Sequence, residues 1–331
     1  MRALLARFPR LADALPRAEL HLRETPVESW CVGGASLLIK RDDLVASTLG
    51  GNKARALELL LGTADAARPL LTVGASGSTH ALSVASHGAT LGLRTQVITW
   101  PQETHAVAEA TAARILALAE VTPTRSVIHA FVRAMWRRAA HRAHWIPAGG
   151  STPLGALGHV DAALELAGQL AREGAAMPDT IVLPLGSGGT AAGLLVGLSL
   201  IGAHARLLGV RVVPRVVANR RHVLRLARRT QALLASIAGE RLPPLDDDLL
   251  EIDHGAFGGA YGRETSEATR ATELLRAAGG PPLEGTYSAK AFAIALGRAQ
   301  RSPDERVLFW LTFDGRWLAS PDDSTITRTA R

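Results

Sequence analysis

Lys53 lies in the run Gly-Gly-Asn-Lys-Ala-Arg at 50–55, and only Lys40 and Lys290 join it as lysines among 37 basic residues. Arginine supplies charge wherever lysine does, but its guanidinium stays protonated and delocalised and cannot form an imine with a carbonyl. A lysine kept in so arginine-rich a chain is a candidate for amine chemistry, and the glycines before Lys53 let backbone approach a ligand closely. A solvated lysine at a helix start is the alternative reading of the same segment.

Three further segments carry chemically useful side chains. The apolar run IVLPL at 181–185 ends in Gly-Ser-Gly-Gly-Thr at 186–190, with an apolar helical stretch directly after it. Such a junction aims free backbone N–H groups and the positive helix end at one point, which suits a phosphate. A tight strand–helix turn is the plainer alternative. The chain lacks the lysine-bearing phosphate loop of nucleotide hydrolases, and no acidic ribose partner follows for a dinucleotide. At 74–80, Gly-Ala-Ser-Gly-Ser-Thr-His forms a second junction, where Ser78 and Thr79 either cap a helix or grip a carboxylate. His80 beside them is ambiguous. Tyr261 and Tyr287 are the only tyrosines, and both sit in glycine-flanked turns, where a phenol either packs or exchanges protons with a ligand.

The elements that must position these residues alternate in the rhythm of an α/β protein with parallel sheets. Strands are expected at 70–73, 95–100, 181–185, 207–213 and 307–313, with helices at 79–91, at 104–119 and directly after the glycine turn. The Pro/Asp stretch at 242–248 reads as a surface loop between helices. With 331 residues the chain can bury two substantial cores, and 47% hydrophobic with 20% charged residues describes a globular protein. No apolar run approaches the roughly 20 residues that span a bilayer. The single Cys31 excludes an intrachain disulfide and a cysteine zinc cluster. Arg7, Arg10 and Asp13 interrupt the apolar N-terminal stretch where a signal peptide would keep its core, so a cytoplasmic location is expected. A net charge of +7 raises nucleic-acid binding, but the arginine clusters at 133–142 and 220–229 belong to no nucleic-acid-reading motif. A solvated helix face explains them, and attraction of an anionic substrate or cofactor uses the surplus more economically. No metal, membrane or nucleic-acid partner is expected.

Taken together, these segments resemble the pyridoxal-phosphate enzymes of fold type II, and within them the 1-aminocyclopropane-1-carboxylate deaminase / D-cysteine desulfhydrase family. The likeness runs through 37–61, 74–93, 146–170 and 183–198, and continues through Gly-Gly-Ala-Tyr-Gly at 258–262 and Glu-Gly-Thr-Tyr-Ser at 284–288. It implies two open, twisted, mostly parallel sheets with flanking helices. A small domain at 47–157 would be inserted into a larger one formed by 1–46 plus 158–331, with boundaries good to about ten residues. Lys53 would be the lysine that bonds pyridoxal 5'-phosphate, and Ser78 the serine near the substrate carboxylate. Gly186, Ser187, Gly188, Gly189 and Thr190 would hold the cofactor phosphate. Tyr261 and Tyr287 would be the active-site tyrosines, and Asn52, Thr79, Ser288 and Thr312 would surround the cofactor ring. The resemblance also implies a homodimer and a small amino acid as substrate.

Three departures stand out. Ser76-Gly77-Ser78-Thr79 replaces the family's Ile-Gln-Ser-Asn, and Thr312-Phe313-Asp314-Gly315 replaces a His-Thr-Gly-Gly strand end, filling or recharging space near the ring. Ser288 stands where the deaminase proper has a glutamate near the ring nitrogen. A neutral hydroxyl there, from Ser288 or Thr312, weakens the electron sink and argues against cyclopropane opening. The expected reaction is α,β-elimination from a small amino acid to a 2-oxo acid and ammonia. A β-replacement synthase, a racemase or other specialised-metabolism enzyme, and a cofactor-binding protein without catalysis are the alternatives.

Overall fold

The computed structural model describes residues 1–103 and 105–318. The strands are β1 Val27–Val32, β2 Ala35–Lys40, β3 Leu70–Ala75, β4 Thr95–Trp100 and β5 Glu120–Pro123. They continue as β6 His144–Trp145, β7 Thr180–Leu185, β8 Arg206–Arg211, β9 Leu250–Asp253 and β10 Val307–Trp310. The helices begin with α1 Arg2–Arg7, α2 Leu11–Ala14, α3 Asn52–Leu60, α4 Thr79–Thr90, α5 Ala106–Leu118 and α6 Val127–His141. The later ones are α7 Pro153–Arg172, α8 Gly189–Ile201, α9 Arg220–Ala238, α10 Ser266–Ala277 and α11 Ser288–Arg301.

Two sheets result, as expected. One has six strands in the order β1-β2-β10-β7-β8-β9, parallel except for the β1–β2 hairpin. The other has four parallel strands in the order β5-β4-β3-β6. Parallel strands covered on both faces read as continuous apolar runs, and β7 is buried at every position. α8 is buried along nearly its whole length, being wedged between the six-stranded sheet and α7.

The strands expected from apolar runs fall where β3, β4, β7, β8 and β10 lie, although β8 and β10 stop at Arg211 and Trp310. The helix expected from 104 runs from Ala106, Thr104 itself lying outside the described residues, as do residues 319–331 of the expected large domain. One reading is corrected. The stretch at 242–248 does not connect two helices but leads from α9 through a short 3-10 turn, Asp247–Leu249, into edge strand β9.

A buried ionic cluster ties the sheets together. Lys40 Nζ, at the end of β2, donates to Glu165 Oε1 at 2.7 Å, Thr25 O at 2.6 Å and Gln169 Oε1 at 2.6 Å. Those three acceptors use all three ammonium protons. Arg55 on α3 meets Asp42 at 2.7 Å and Glu165 at 3.0 Å. Burial alone would raise the Glu165 pKa, but Arg55 and Lys40 outweigh it and hold the carboxyl at about 2. Glu165 on α7 thus bridges a strand of the larger sheet to the helix that carries Lys53. Breaking a buried ion pair from one side strands the remaining charges at a cost of about 3–5 kcal/mol. Glu165→Ala is expected to lower unfolding stability in urea by that amount, and a loss under about 1 kcal/mol would contradict the bridging role.

Candidate active site

The carboxyl ends of five strands converge on one crevice, the usual position of a ligand site in an open α/β sheet. Ala75 of β3, Trp100 of β4 and Leu185 of β7 line it, with Val213 beyond β8 and Thr312 beyond β10. The crevice holds a cavity of about 560 Å³.

Lys53 enters this cavity from the first turn of α3. The loop before it is pinned to the end of β10. Gly50 N donates to Asp314 Oδ2 at 2.9 Å, and Asn52 N donates to Thr312 O at 3.0 Å. Between them Gly51 has φ 91°, and a Cβ there would sit 2.6 Å from Thr312 O, so only glycine fits. Lys53 Nζ makes one polar contact, to Asn52 Oδ1 at 3.2 Å. With Lys40 saturated and Lys290 Nζ bonded to Phe257 O at 2.9 Å, Lys53 is the one lysine whose amine faces the cavity. Burial lowers its pKa from 10.5 to about 8.

Asn52 continues inward from the amine, its Nδ2 donating to Thr190 Oγ1 at 2.7 Å. Thr190 is in the first turn of α8, at the glycine turn expected to receive a phosphate. The N–H groups of a first helical turn have no intrahelical acceptors, and Gly186, Ser187, Gly188, Gly189 and Thr190 all line the cavity. Ser151 anchors the turn from the start of α7. It donates to Ser187 Oγ at 2.7 Å and accepts from Gly189 N at 3.1 Å. Side chains would clash inside this cradle: a Cβ on Gly149 would fall 2.0 Å from Ser187 Oγ, and one on Gly189 would fall 2.7 Å from Ser151 Oγ. A concave, amide-lined turn next to a neutralisable amine fits the phosphate and aldehyde of pyridoxal phosphate.

Ser78 caps α4, as one reading of its sequence has it, accepting from Ala81 N at 3.3 Å, and it also stands at the cavity with Thr79. The α4 N-terminus therefore also points at the site, favouring an anion. His80 lines the cavity too, with Nε2 3.1 Å from Thr72 Oγ1. Burial and then the charge of Lys53 push its pKa down to about 3, so the imidazole is neutral at any working pH.

Tyr261 and Tyr287 come together across the cavity, their hydroxyls 2.7 Å apart and their rings edge-on at 6.0 Å. Desolvation raises the Tyr261 pKa to about 12 and lifts Tyr287 well above 10. Both phenols therefore hold their protons at neutral pH. The Tyr287 turn is built on Glu284, whose buried carboxylate accepts from the backbone N–H of Thr286, Tyr287 and Ser288.

Two expectations need correction. Ser288 does not line the cavity: its hydroxyl is buried at the start of α11, accepting from Glu284 N at 2.8 Å and lying 3.2 Å from Glu284 oxygens. Among the two hydroxyls considered for the ring nitrogen, Thr312 is the one in the cavity. Asp314 does not recharge the cavity either. Arg316 binds it at 2.6 Å, and Asp314 and Phe313 line not the main cavity but a smaller space of about 30 Å³ that shares Lys53, Thr79 and Tyr287 with it. Sequence reasoning assigned no role to Ser151 or Glu284. Ser151 lay inside a quoted stretch of resemblance, and Glu284 sat three residues before a tyrosine already singled out.

The family described as pyridoxal-phosphate dependent enzyme matches residues 18–312. A nocardicin C-9' epimerase of Nocardia uniformis subsp. tsuyamanensis is 35% identical over 315 residues, covering 90% of this chain and 93% of that protein. A D-cysteine desulfhydrase of Klebsiella pneumoniae (strain 342) is 34% identical over 311 residues, covering 87% of this chain and 88% of that one. The crystal structure of an ACC deaminase homologue superposes with a TM-score of 0.76 at 28% identity, covering 95% of each chain.

A lysine with pKa about 8 is neutral in roughly a tenth of molecules at pH 7, a few hundredfold more than at 10.5. Addition of the cofactor aldehyde to the unloaded chain is therefore expected to accelerate with pH through a midpoint near 8. A midpoint near 10.5, measured by stopped-flow absorbance, would show that the amine is solvated.

Proposed function

Because the chain belongs to the pyridoxal-phosphate-dependent enzyme family, and within it to the ACC deaminase / D-cysteine desulfhydrase type, we propose that it removes a β substituent from an amino acid by α,β-elimination. The products are a 2-oxo acid and ammonia. One observation carries this reading: a single under-bonded lysine amine faces a phosphate-type glycine turn, with a proton-holding tyrosine pair in the same cavity.

Bound here, pyridoxal phosphate supplies the electron sink that acidifies the Cα–H of an amino acid. The turn at 186–190 holds the phosphate, braced by Ser151, while Asn52 orients both Thr190 and the Lys53 amine. Lys53 takes the Cα proton, its lowered pKa making it a competent base near neutrality. Ser78, Thr79 and the α4 N-terminus receive the substrate carboxylate. The Tyr261–Tyr287 pair donates a proton to the departing group at Cβ. Thr312, a neutral hydroxyl lining the cavity, would lie beside the cofactor ring and would add no charge to it.

Racemisation or epimerisation is the second reading. Lys53 and Ser78 both line the cavity, and one relative at 35% identity is an epimerase. A homodimer in the cytoplasm completes the proposal, together with a small domain at 47–157 inserted into 1–46 plus 158–331, a division that the segregation of the strands between the two sheets supports.

Incubating the loaded enzyme with D- and L-cysteine and with S-benzylcysteine separates the readings. Elimination yields equal 2-oxo acid and ammonia, whereas racemisation yields only the opposite enantiomer. Neither product, with an unchanged cofactor spectrum, contradicts both. Tyr287→Phe is expected to lower kcat by about 10²–10⁴-fold while the cofactor absorbance persists, as removal of a general acid does. A loss under about threefold would exclude the tyrosine pair from proton transfer.

A further inference from the structure

The cavity has a second half that the chemistry above leaves unused. Trp100, Val127 and Phe131 line it from β4 and α6, and Val213, Pro214 and Val217 line it from the segment after β8. None of these six carries a charge or a hydroxyl. Trp100 and Phe131 stack with ring centroids 6.2 Å apart and planes inclined by 26°. Val127 and Phe131 are one turn apart on α6, so they present a common face. Val127, Phe131 and Val217 remain 45%, 38% and 45% exposed. Clustered apolar surface left open in this way marks a ligand-binding wall rather than an ordinary surface. Beside it, Gln102 also lines the cavity, and its Oε1 is buried without a partner among the described residues. Buried amide oxygens are normally bonded, so this one is available to a ligand.

A volume of about 560 Å³ is in the range that encloses drug-sized ligands. The cofactor takes the polar half. An amino acid the size of alanine or cysteine adds few atoms beyond Cα and would leave the six apolar residues facing water.

We propose that the substrate is an α-amino acid whose side chain carries a bulky aromatic group, seated against Trp100, Phe131, Val213, Pro214 and Val217. This rests on the function proposed above, and it revises the small substrate implied by the resemblance.

The test is a spectral titration of the loaded enzyme with both enantiomers of alanine, cysteine and phenylalanine, reading Kd from the change in cofactor absorbance. Burying a phenyl group against apolar walls is expected to give the better phenylalanine enantiomer a Kd at least about tenfold below that of alanine. Phe131→Glu should narrow that ratio to within about threefold, and Val217→Glu, at an exposed loop position, repeats the test should the first variant fold poorly. Equal or tighter binding of alanine or cysteine overturns the inference, as does a ratio unchanged in both variants. If alanine and cysteine alter the spectrum and phenylalanine does not, only this inference falls. If no amino acid alters it, the proposed function falls as well.

Discussion

A half-buried lysine amine with no counter-ion among the described residues is the constraint on which this site depends. A buried ammonium is costly, so the group sheds its proton readily, and an amine in that state attacks a carbonyl. Holding it there requires a rigid mount. α3 is that mount: Arg55, two residues after Lys53, is clamped by Asp42 and Glu165, while the loop ahead of the helix is bonded to Asp314, Thr312 and Asp42. Arg316 secures the same loop, donating to Asp314, Asp43 O and Ala46 O. The charges that would pair with the amine are consumed behind the helix, which leaves Lys53 on the cavity side with only Asn52.

The same economy organises the rest of the crevice. The two glycine-bearing junctions that end β3 and β7 bring their helix N-termini, α4 and α8, to one cavity. Each suits an anion, one the substrate carboxylate and the other the phosphate. The same cavity holds a phenol pair whose environment keeps it protonated. The surroundings shift the two groups in opposite directions: burial lowers the pKa of the amine, while burial and nearby negative charge raise those of the tyrosines.

Much of this was legible in the chain itself. Of the strands that run to the site, those at 70–75 and 180–185 are buried at every position and that at 95–100 at four of six, so each appears as a mainly apolar stretch. Lys53 was conspicuous because lysine is scarce here, and the glycine turn because its spacing fits a strand–helix junction. The edge elements were not legible. β5, β6 and β9 are short and half-exposed, which removes the apolar pattern that marks a strand. Ser288 misled because its position matches a ring-facing residue, yet a local bond to Glu284 claims its hydroxyl. Asp314 misled because its partner, Arg316, gave no sign in the sequence of folding back on it. The apolar half of the cavity was invisible, since Trp100, Phe131 and Val217 come from three separate segments that only the fold assembles.

The central claim is that the amine of Lys53, and of no other lysine, carries the cofactor. Borohydride reduction of the pyridoxal-phosphate-loaded protein, followed by peptide mass spectrometry, tests it directly because there are only three sites to distinguish. The account predicts a reduced pyridoxyl adduct on Lys53 alone. An adduct on Lys40 or Lys290, or none on any lysine, would contradict it.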